Sequence, residues 1–399
     1  MSKLKGAKYQ TLFSPLVFFA QLIFTFLCKQ DLSPHEFKTI LLIVNLSLLL
    51  QFSDLGALFS TYLLASEFFK VRSNKNYVKL INSFKYTCAV SLFGLITIFL
   101  FWQIKILNIQ IAIFIGLSML NQIIAWFNIV NRAGGKEFLY SAVFNLSWPL
   151  TLALTVTCRV LDVSPSNYYL LPILASLILN CSVVASTIYT IKLIKPQIDL
   201  HQENNCFYKV LTRLVCISFL IQTTNSLNLY LDKYLLDLNS EVATVNKYLI
   251  CTQVVFGLIT LINTLYSTHA HFTYGKQKTE LQISTDFIKY TLFLICLNPI
   301  ITGFLITIIY RSDVDTTMMI LTEIVIIMYS ILKRVQIYFS DIYSLKIQII
   351  GNIHQLIAFP LLYFFLFRMP HEYSIMIAFI IAVMINLSYL VSKFFELER

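Results

Sequence analysis

The sequence predicts an all-α integral membrane protein, with about 12 transmembrane helices arranged as two six-helix lobes around a central cavity. Three observations support this fold class. Apolar residues make up 57% of the chain and are concentrated in long runs. Most lysine and arginine residues lie between these runs on one predicted side of the membrane. Several runs also carry polar side chains at intervals of three or four residues.

About twelve apolar runs are long enough to cross a bilayer, for which a helix needs about 20 mostly apolar residues. Because the lipid core offers no water to satisfy backbone N–H and C=O groups, each run is predicted to be a helix. In chain order the runs cover residues 11–28, 39–65, 86–104, 109–130, 140–158, 168–191, 214–231, 248–268, 287–309, 316–338, 343–367 and 373–392.

The longest polar segment divides the chain near its middle. It covers roughly residues 192–213 and is too short to fold as a separate soluble domain. The sequence therefore predicts an N-terminal six-helix lobe (1–197), a cytoplasmic connector (198–212) and a C-terminal six-helix lobe (213–399).

A short internal similarity accompanies this division. The segment Asp31–Glu36 precedes the second span, and the segment Asp237–Glu241 precedes the eighth. A duplication of six helices would relate the two halves by an axis along the membrane normal, as in several transporters. Both segments are short, so chance similarity is the alternative interpretation.

The positive charges determine the predicted orientation. With the N-terminus in the cytoplasm and alternating spans, only eight of the 30 lysine and arginine residues lie outside. The positive-inside rule therefore predicts that both termini are cytoplasmic. The same distribution explains the net charge of +10 without a nucleic-acid partner.

The sequence predicts neither a metal site nor a cofactor. The eight cysteines form no C-x-x-C pair, and those within spans are expected to pack as small apolar residues. His269 and His271 are a weak metal signal and are interpreted as polar residues at the membrane interface. The chain also shows no nucleophile–base pair, so an enzyme is not expected.

Five spans carry a polar face. Because its members are three, four or seven residues apart, each set lies on one side of its helix. The sets are Ser14, Gln21 and Thr25 in span 1; Ser47, Gln51, Asp54 and Thr61 in span 2; Ser118, Gln122, Ala125, Asn128 and Arg132 in span 4; Gln222, Asn225, Asn228 and Asp232 in span 7; and Gln253, Gly257, Thr260, Thr264 and Ser267 in span 8. Hydrogen bonds between helices would explain any one face. The number of faces favours a shared hydrated cavity and hence a translocation pathway.

Four charged residues are further candidates for a functional role. A carboxylate inside a bilayer must be paired, hydrated or protonated. Asp54 and Glu323 are therefore candidates for coupling transport to a proton or cation, with a salt bridge to a neighbouring helix as the structural alternative. Arg132 and Arg334 lie on polar faces near cytoplasmic ends, where a guanidinium group would bind phosphate.

Two motifs resemble those of a known family. They are F-S-D-L-G-A at 52–57 and D-K-Y-L-L at 232–236, the second followed by Glu241 and Tyr248. Both resemble segments of bacterial polysaccharide repeat-unit flippases of the O-antigen (Wzx) type. Chain length, number of spans and the two six-helix halves resemble that family as well. The resemblance implies the multidrug/oligosaccharidyl-lipid/polysaccharide exporter fold and transport by alternating access.

The resemblance also implies a substrate, an undecaprenyl-pyrophosphate-linked oligosaccharide that moves from the cytoplasmic to the periplasmic leaflet of a bacterial inner membrane. It implies no cofactor; the expected partners are this lipid-linked glycan, the bilayer and other polysaccharide assembly proteins. Asp54, Asp232 and Lys233 match the family's motifs. The candidate cavity residues are Gln21, Gln51, Asp54, Gln122, Asn128, Arg132, Gln222, Asn225, Asn228, Gln253 and Arg334.

Two other functions are compatible with the sequence. A cation-coupled multidrug exporter of the same superfamily would share the fold and differ in its cavity. A membrane polysaccharide polymerase or ligase would act on similar glycans, but the short outer loops leave little room for its catalytic groups.

Overall fold

The computed structural model describes residues 2–50, 57–104, 109–194, 231–252, 316–338 and 345–397, together with positions 220, 224, 227, 228, 289, 292 and 296. Throughout these ranges the regular structure is helical and contains no β-strand. The predicted all-α fold class is therefore confirmed.

In the described ranges, seven long helices lie in the first half of the chain and three lie at its end. The first seven are α1 (Ser2–Asp31), α2 (Pro34–Leu50), α3 (Ala57–Lys70), α4 (Asn74–Gln103), α5 (Ile109–Ala133), α6 (Glu137–Val160) and α7 (Leu171–Ile194), with a 3-10 turn at Pro165–Leu170 before α7. Residues 231–239 and 242–252 are also helical. The last three are α8 (Thr316–Tyr338), α9 (Leu345–Leu366) and α10 (His371–Leu397).

Six helices in the described part of the chain are long and apolar enough to cross a membrane. They cover Lys75–Gln103, Ile109–Ala133, Phe138–Val160, Pro165–Lys192, Lys346–Leu366 and His371–Glu396. Each contains or closely matches one of the apolar runs that the sequence predicts to be a span. The multi-pass membrane architecture is therefore supported for six of the predicted spans. The predicted spans at 11–28, 39–65 and 316–338 are not among these six and stay predictions.

Helix α4 begins well before its apolar run, and its first turn is capped. The predicted third span begins at residue 86, whereas α4 begins at Asn74. The side chain of Ser73 accepts a hydrogen bond from the backbone N–H of Asn76 at 3.2 Å, which satisfies one of the free donors of the first turn. Hydropathy identifies the part of the helix that lipid can surround, and the cap determines where the helix starts.

The chain divides by its internal contacts into two compact units, and the first comprises residues 1–24 and 43–223. In this unit α5 packs against α3, α4, α6 and α7. Trp126 of α5 is buried beside Phe68, Leu80 and Val130. Its indole N–H donates a hydrogen bond to Oγ of Ser83 on α4 at 3.1 Å, so the polar edge of the ring is satisfied in the core.

The second unit comprises residues 25–42 and 224–399. In it α10 packs against both α8 and α9. The hairpin at residues 25–42, made by the end of α1 and the beginning of α2, belongs to this unit, while the rest of both helices belongs to the first. The predicted connector at residues 198–212 lies outside the described ranges, and the predicted lobe boundaries stay a prediction.

Candidate functional site

The motif at Asp232 and Lys233 forms a buried ion pair in the second unit. The ammonium Nζ of Lys233 lies 3.2 Å from Oδ1 and 3.4 Å from Oδ2 of Asp232. The hydroxyl of Tyr248 donates to Oδ2 of Asp232 at 2.5 Å. Exposure is only 2% for Asp232, 1% for Lys233 and 2% for Tyr248. The structure thus brings together three residues that the family resemblance singled out.

This arrangement keeps two charges stable away from water. Removing an ion from water costs several kcal/mol, and a close counter-charge with further hydrogen bonds offsets that cost. The carboxylate of Asp232 accepts from both the ammonium of Lys233 and the phenol of Tyr248. The cluster therefore neutralises itself and joins the helical segments 231–239 and 242–252.

A network of amide side chains occupies a second buried region of this unit, with Asn352 of α9 at its centre. Oδ1 of Asn352 accepts from Gln336 Nε2 at 3.0 Å and from Asn386 Nδ2 at 3.2 Å. Its Nδ2 donates to Thr224 Oγ1 at 3.4 Å, and its backbone carbonyl accepts from Asn228 Nδ2 at 3.1 Å. One residue thus joins α9 to α8, to α10 and to the chain around residues 224–228.

Gly351 allows α9 and α10 to approach closely at this network. A Cβ added at Gly351 would collide with Oδ1 of Asn386. Asn386 is fully buried and also donates from Nδ2 to Gln355 Oε1 at 2.9 Å. Gly351 is required because a side chain would not fit. Its backbone lies within a regular helix, so no unusual backbone conformation calls for glycine.

The sequence interpretation missed most of this network. Gln348, Asn352 and Gln355 follow one another at steps of four and three residues, which is the signal that identified the other polar faces. The run at 343–367 was interpreted by its apolar content alone. Asn386 is an isolated amide in its span, so no spacing pattern would have found it.

In the first unit a ladder of hydrogen bonds joins α5 to α7. Asn121 Nδ2 donates to Ser176 Oγ at 2.9 Å, and Asn180 Nδ2 donates to Asn121 Oδ1 at 3.0 Å. Farther along, Asn131 Nδ2 donates to Thr187 Oγ1 at 2.6 Å. For these residues, interhelical hydrogen bonding explains the polar side chains.

The predicted polar face of span 4 is largely buried. Gln122 is 7% exposed and Asn128 is 5% exposed. Ser118 donates its hydroxyl to the carbonyl of Phe114 one turn back in its own helix at 2.9 Å. The face is therefore internal to the unit along most of its length, and Arg132 at its end is the half-buried member.

Arg132 lies at the end of α5, held by two tyrosine rings. Its guanidinium carbon lies 5.0 Å from the ring centre of Tyr62 on α3 and 4.6 Å from that of Tyr140 on α6. Nη1 also donates to the hydroxyl of Tyr140 at 3.4 Å. Arg132 forms no ion pair with any carboxylate in the described part of the chain. Its donors are therefore oriented by aromatic contacts, and no described carboxylate neutralises its charge.

The turn after Arg132 fixes this geometry. Gly135 has a φ of +83°, a left-handed conformation that glycine adopts without strain. The N–H of Gly135 donates to the carbonyl of Arg132 at 3.1 Å, which closes the end of α5. Nζ of Lys136 then donates to Ser186 Oγ at 3.0 Å and to Thr190 Oγ1 at 2.7 Å on α7.

The remaining predicted site residues are placed separately or not described. Gln21 on α1 and Glu323 on α8 are half-buried, and Asn228 is buried in the amide network. Arg334 lies within α8. Five predicted residues lie outside the described ranges, namely Gln51, Asp54, Gln222, Asn225 and Gln253. The shared cavity therefore stays a prediction.

No protein-family model matches this chain, and no curated protein is similar to it in sequence. Solved structures, however, match it over nearly its whole length. A chain named only "protein A" has a TM-score of 0.67 at 13% identity and covers 98% of this chain and 95% of its own. The crystal structure of MATE in complex with MaL6 has a TM-score of 0.56 at 11% identity, covering 99% and 97%.

A third structure shows the outward-facing conformation of a multidrug resistance MATE family transporter of the MOP superfamily. Its TM-score is 0.54 at 12% identity, and the match covers 100% of this chain and 97% of the transporter. The chain has the MATE fold. At this level of identity the likeness concerns the fold alone, and it agrees with the superfamily fold that the sequence motifs implied.

Proposed function

We propose that this protein is a membrane transporter that moves an undecaprenyl-pyrophosphate-linked oligosaccharide from the cytoplasmic to the periplasmic leaflet of a bacterial inner membrane by alternating access. The observation that carries the proposal is the similarity of nearly the whole chain to MATE transporters. The motif that forms the cluster of Asp232, Lys233 and Tyr248 supports the polysaccharide branch of the superfamily.

Such a substrate needs three kinds of partner. Its sugars need amide groups, for which the candidates are Gln21, Gln51, Gln222, Asn225 and Gln253. Gln122, Asn128 and Asn228 are buried within their units. Its pyrophosphate needs cations, and Arg132 and Arg334 are the candidates. Its polyprenyl chain needs only lipid.

The geometry of Arg132 suits a phosphate group. The rings of Tyr62 and Tyr140 hold the guanidinium plane without neutralising its charge. A planar fork of N–H donors held in this way can bind two phosphate oxygens together, which a lysine ammonium cannot match. The pyrophosphate is therefore assigned to Arg132 in this proposal.

In this proposal, Asp54 or Glu323 couples transport to a proton or cation gradient. Asp232 already pairs with Lys233 and is therefore not the candidate. Both candidates lie within predicted spans, where a carboxylate must be paired, hydrated or protonated.

A cation-coupled multidrug exporter is the second candidate function, because one of the matching structures is a multidrug resistance transporter. Such a protein would expel amphipathic cations, for which an unneutralised Arg132 would be unfavourable. The electrostatics of Arg132 therefore support an anionic substrate over a cationic one.

The test uses purified protein in proteoliposomes that contain an undecaprenyl-pyrophosphate-linked oligosaccharide. Flipping is measured as the loss of glycan from the face accessible to a sugar-binding lectin, against empty liposomes. A parallel assay measures ethidium efflux in a host lacking its own pumps. Protein-dependent flipping without ethidium efflux supports the proposal, whereas ethidium efflux without flipping overturns it in favour of the drug exporter.

The proposed location carries its own expectation. Both termini are proposed to lie in the cytoplasm of a bacterium, with other polysaccharide assembly proteins as partners at the inner membrane. A C-terminal fusion to a protein that fluoresces only in the cytoplasm would then be bright. A dark C-terminal fusion with an active periplasmic reporter would contradict this orientation.

A further inference from the structure

The turn that joins α3 to α4 concentrates positive charge at one end of the first unit. This basic turn (residues 70–75) contains Lys70, Arg72 and Lys75, and all three side chains are exposed. In the described part of the chain, none of these cations forms an ion pair. The acidic residue nearest to them in sequence, Glu67, is paired with a lysine of α4 at 3.2 Å. The basic turn therefore presents three charges that no described carboxylate balances.

Backbone and side-chain hydrogen bonds fix the shape of the basic turn. The carbonyl of Val71 accepts from the N–H of Ser73 at 2.8 Å and from Nδ2 of Asn76 at 3.0 Å. The N–H of Val71 donates to the carbonyl of Glu67 at 2.9 Å. Because the turn is already ordered, a partner that binds it loses little free energy in ordering the backbone.

The residues before the basic turn attach it to the core of the first unit. Phe68 is fully buried in the same cluster as Leu80 and Trp126. The ring of Phe69 lies against Gly134 in the turn after α5, where an added Cβ would be 2.9 Å from Cζ of the ring. The basic turn is thus held by packed aromatic rings, and its charged side chains project away from them.

An apolar side chain lies between two of these cations. Val71 is 61% exposed, and Lys70 and Arg72 flank it in the chain. A soluble anion would match the charges and leave the valine in water. Basic residues combined with exposed apolar ones suit the boundary between lipid headgroups and acyl chains, where both kinds of side chain find partners.

The length of α4 places the basic turn at the depth of the headgroups. This helix has 30 residues and is therefore about 45 Å long. A bilayer with its headgroup regions is about 40–45 Å thick. The far end of α4 carries the exposed rings of Phe99 and Trp102, residue types that are typical of a membrane interface. With these rings at one interface, the basic turn lies among the headgroups of the other.

We propose that the basic turn is a binding site for anionic phospholipids of the cytoplasmic leaflet. Lys70, Arg72 and Lys75 contact the headgroup phosphates, and Val71 enters the boundary with the acyl chains. The side of the membrane follows from the predicted topology, in which this turn is cytoplasmic. The site is separate from the proposed substrate, and its test needs no lipid-linked glycan.

The test measures the affinity of the full-length, detergent-solubilised protein for its first bound lipid by native mass spectrometry. The probes are dioleoyl phosphatidylglycerol, which is anionic, and dioleoyl phosphatidylcholine, which has the same chains and a zwitterionic headgroup. The parent protein should bind the anionic lipid at least about tenfold more tightly, because each cation near an anionic surface contributes about fivefold.

Two triple variants with the same net charge separate this site from general electrostatics. The first removes the three cations of the basic turn and should bind phosphatidylglycerol at least about tenfold more weakly. The matched control removes three exposed cations elsewhere and should keep the parental affinity. The first combines Lys70→Gln, Arg72→Gln and Lys75→Gln, and the control combines Lys85→Gln, Lys346→Gln and Arg368→Gln. Equal losses in the two variants would overturn the proposal, as would equal affinity of the parent protein for the two lipids.

A further variant and a competition experiment keep all the charges in place. Val71→Ser should weaken the binding of phosphatidylglycerol about threefold, because less apolar surface leaves water. Parental affinity in this variant would overturn the insertion of the valine. Inorganic phosphate in millimolar excess should not displace the lipid from the parent protein. Displacement would show a site for soluble anions and would overturn the assignment to a lipid.

Discussion

Lys233 in the second unit and Arg132 in the first are two cations held in opposite ways. Lys233 is 1% exposed, and its charge is matched by the neighbouring carboxylate of Asp232. Arg132 is half-buried, and its guanidinium group contacts the rings of Tyr62 and Tyr140 with no carboxylate partner among the described residues. Lys233 therefore has a structural role, as half of a buried ion pair. Arg132 is held in place by aromatic rings, and no described carboxylate balances its charge.

The difference shows what burial does to a charge. A fully buried ion must bring its counter-ion with it, because no solvent remains to stabilise it. An ion at the edge of a unit can be stabilised by water and aromatic faces together, and it remains able to bind an anion. We expect changes at Lys233 and its partner to affect folding, and changes at Arg132 to affect transport.

The largest effect is expected from Asp232→Ala, which removes the carboxylate beside the buried ammonium of Lys233. Breaking such a pair typically costs about 3 to 5 kcal/mol in free energy of unfolding. Titration of the detergent-solubilised protein with SDS would measure this loss. The double change Asp232→Leu with Lys233→Met should recover most of it, because an apolar pair has no charge to desolvate. If the Asp232→Ala protein were as stable as the parent protein, the structural role of the pair would be contradicted.

Gly351→Ala is expected to have the next largest effect, through the amide network of the second unit. The added methyl group would collide with Asn386 Oδ1, so α10 must shift and the hydrogen bonds to Asn352 must weaken. Overpacking of this kind costs about 1 to 3 kcal/mol. The SDS midpoint would report the loss.

Gly116→Ala is the matched control for that variant. It also lies within a membrane helix, but its new Cβ would meet Leu95 Cδ2 at 3.7 Å, an ordinary contact. It should be neutral or slightly stabilising, because alanine is the better helix former. Equal destabilisation by the two alanines would show that helix propensity or lipid contact, not the amide network, controls the response.

Arg132→Lys should affect transport with little effect on folding. Lysine keeps the charge but loses the planar fork, so we expect about a tenfold fall in the flipping rate, equivalent to about 1.4 kcal/mol. Tyr62→Phe keeps the ring and should retain most activity, whereas Tyr62→Leu should lower it. Lys79→Gln changes an exposed cation in the same unit and serves as the control. A change in folding stability as large as that of Asp232→Ala would contradict the comparison.

The sequence was sufficient for those features that follow from periodicity and hydropathy. The spans around α4 to α7, α9 and α10 were predicted from their apolar length, and the polar face of α5 from steps of three and four residues. The motif Asp232–Lys233 was recognised, but its burial was not predicted, because adjacent residues on a helix normally point in different directions.

Other features depend on contacts between segments far apart in the chain. Asn228 meets the carbonyl of Asn352 across 124 positions of sequence, and Lys38 meets Asp237 across 199. Pairings at such separations have no local signature. The tyrosines that hold Arg132 were also missed, since Tyr62 and Tyr140 resemble ordinary membrane aromatics until three helices bring them together.

The smallest effect is expected at Glu36, an exposed carboxylate in the turn of the hairpin at residues 25–42. Hydrogen bonds from the hydroxyl and N–H of Ser33 lower the pKa of the fully exposed Glu36 below its ordinary value of 4.5. Because the folded-state pKa is the lower one, the contribution of Glu36 to stability is complete above about pH 4.5 and disappears as the pH falls through the folded-state value.

Thermal unfolding at pH 6 and pH 3 would test this sign. Glu36→Gln should remove a small part of the acid-induced loss of stability, and Ser33→Ala should remove a similar part. Glu372→Gln, in the first turn of α10, controls for the change in net charge. An unchanged pH dependence in Glu36→Gln would mean that the Ser33–Glu36 capping box contributes nothing to the folded state. The tip of the hairpin would then be held by its other contacts, among them the Lys38–Asp237 ion pair, the Asn246–Pro34 hydrogen bond and the buried side chain of Phe37.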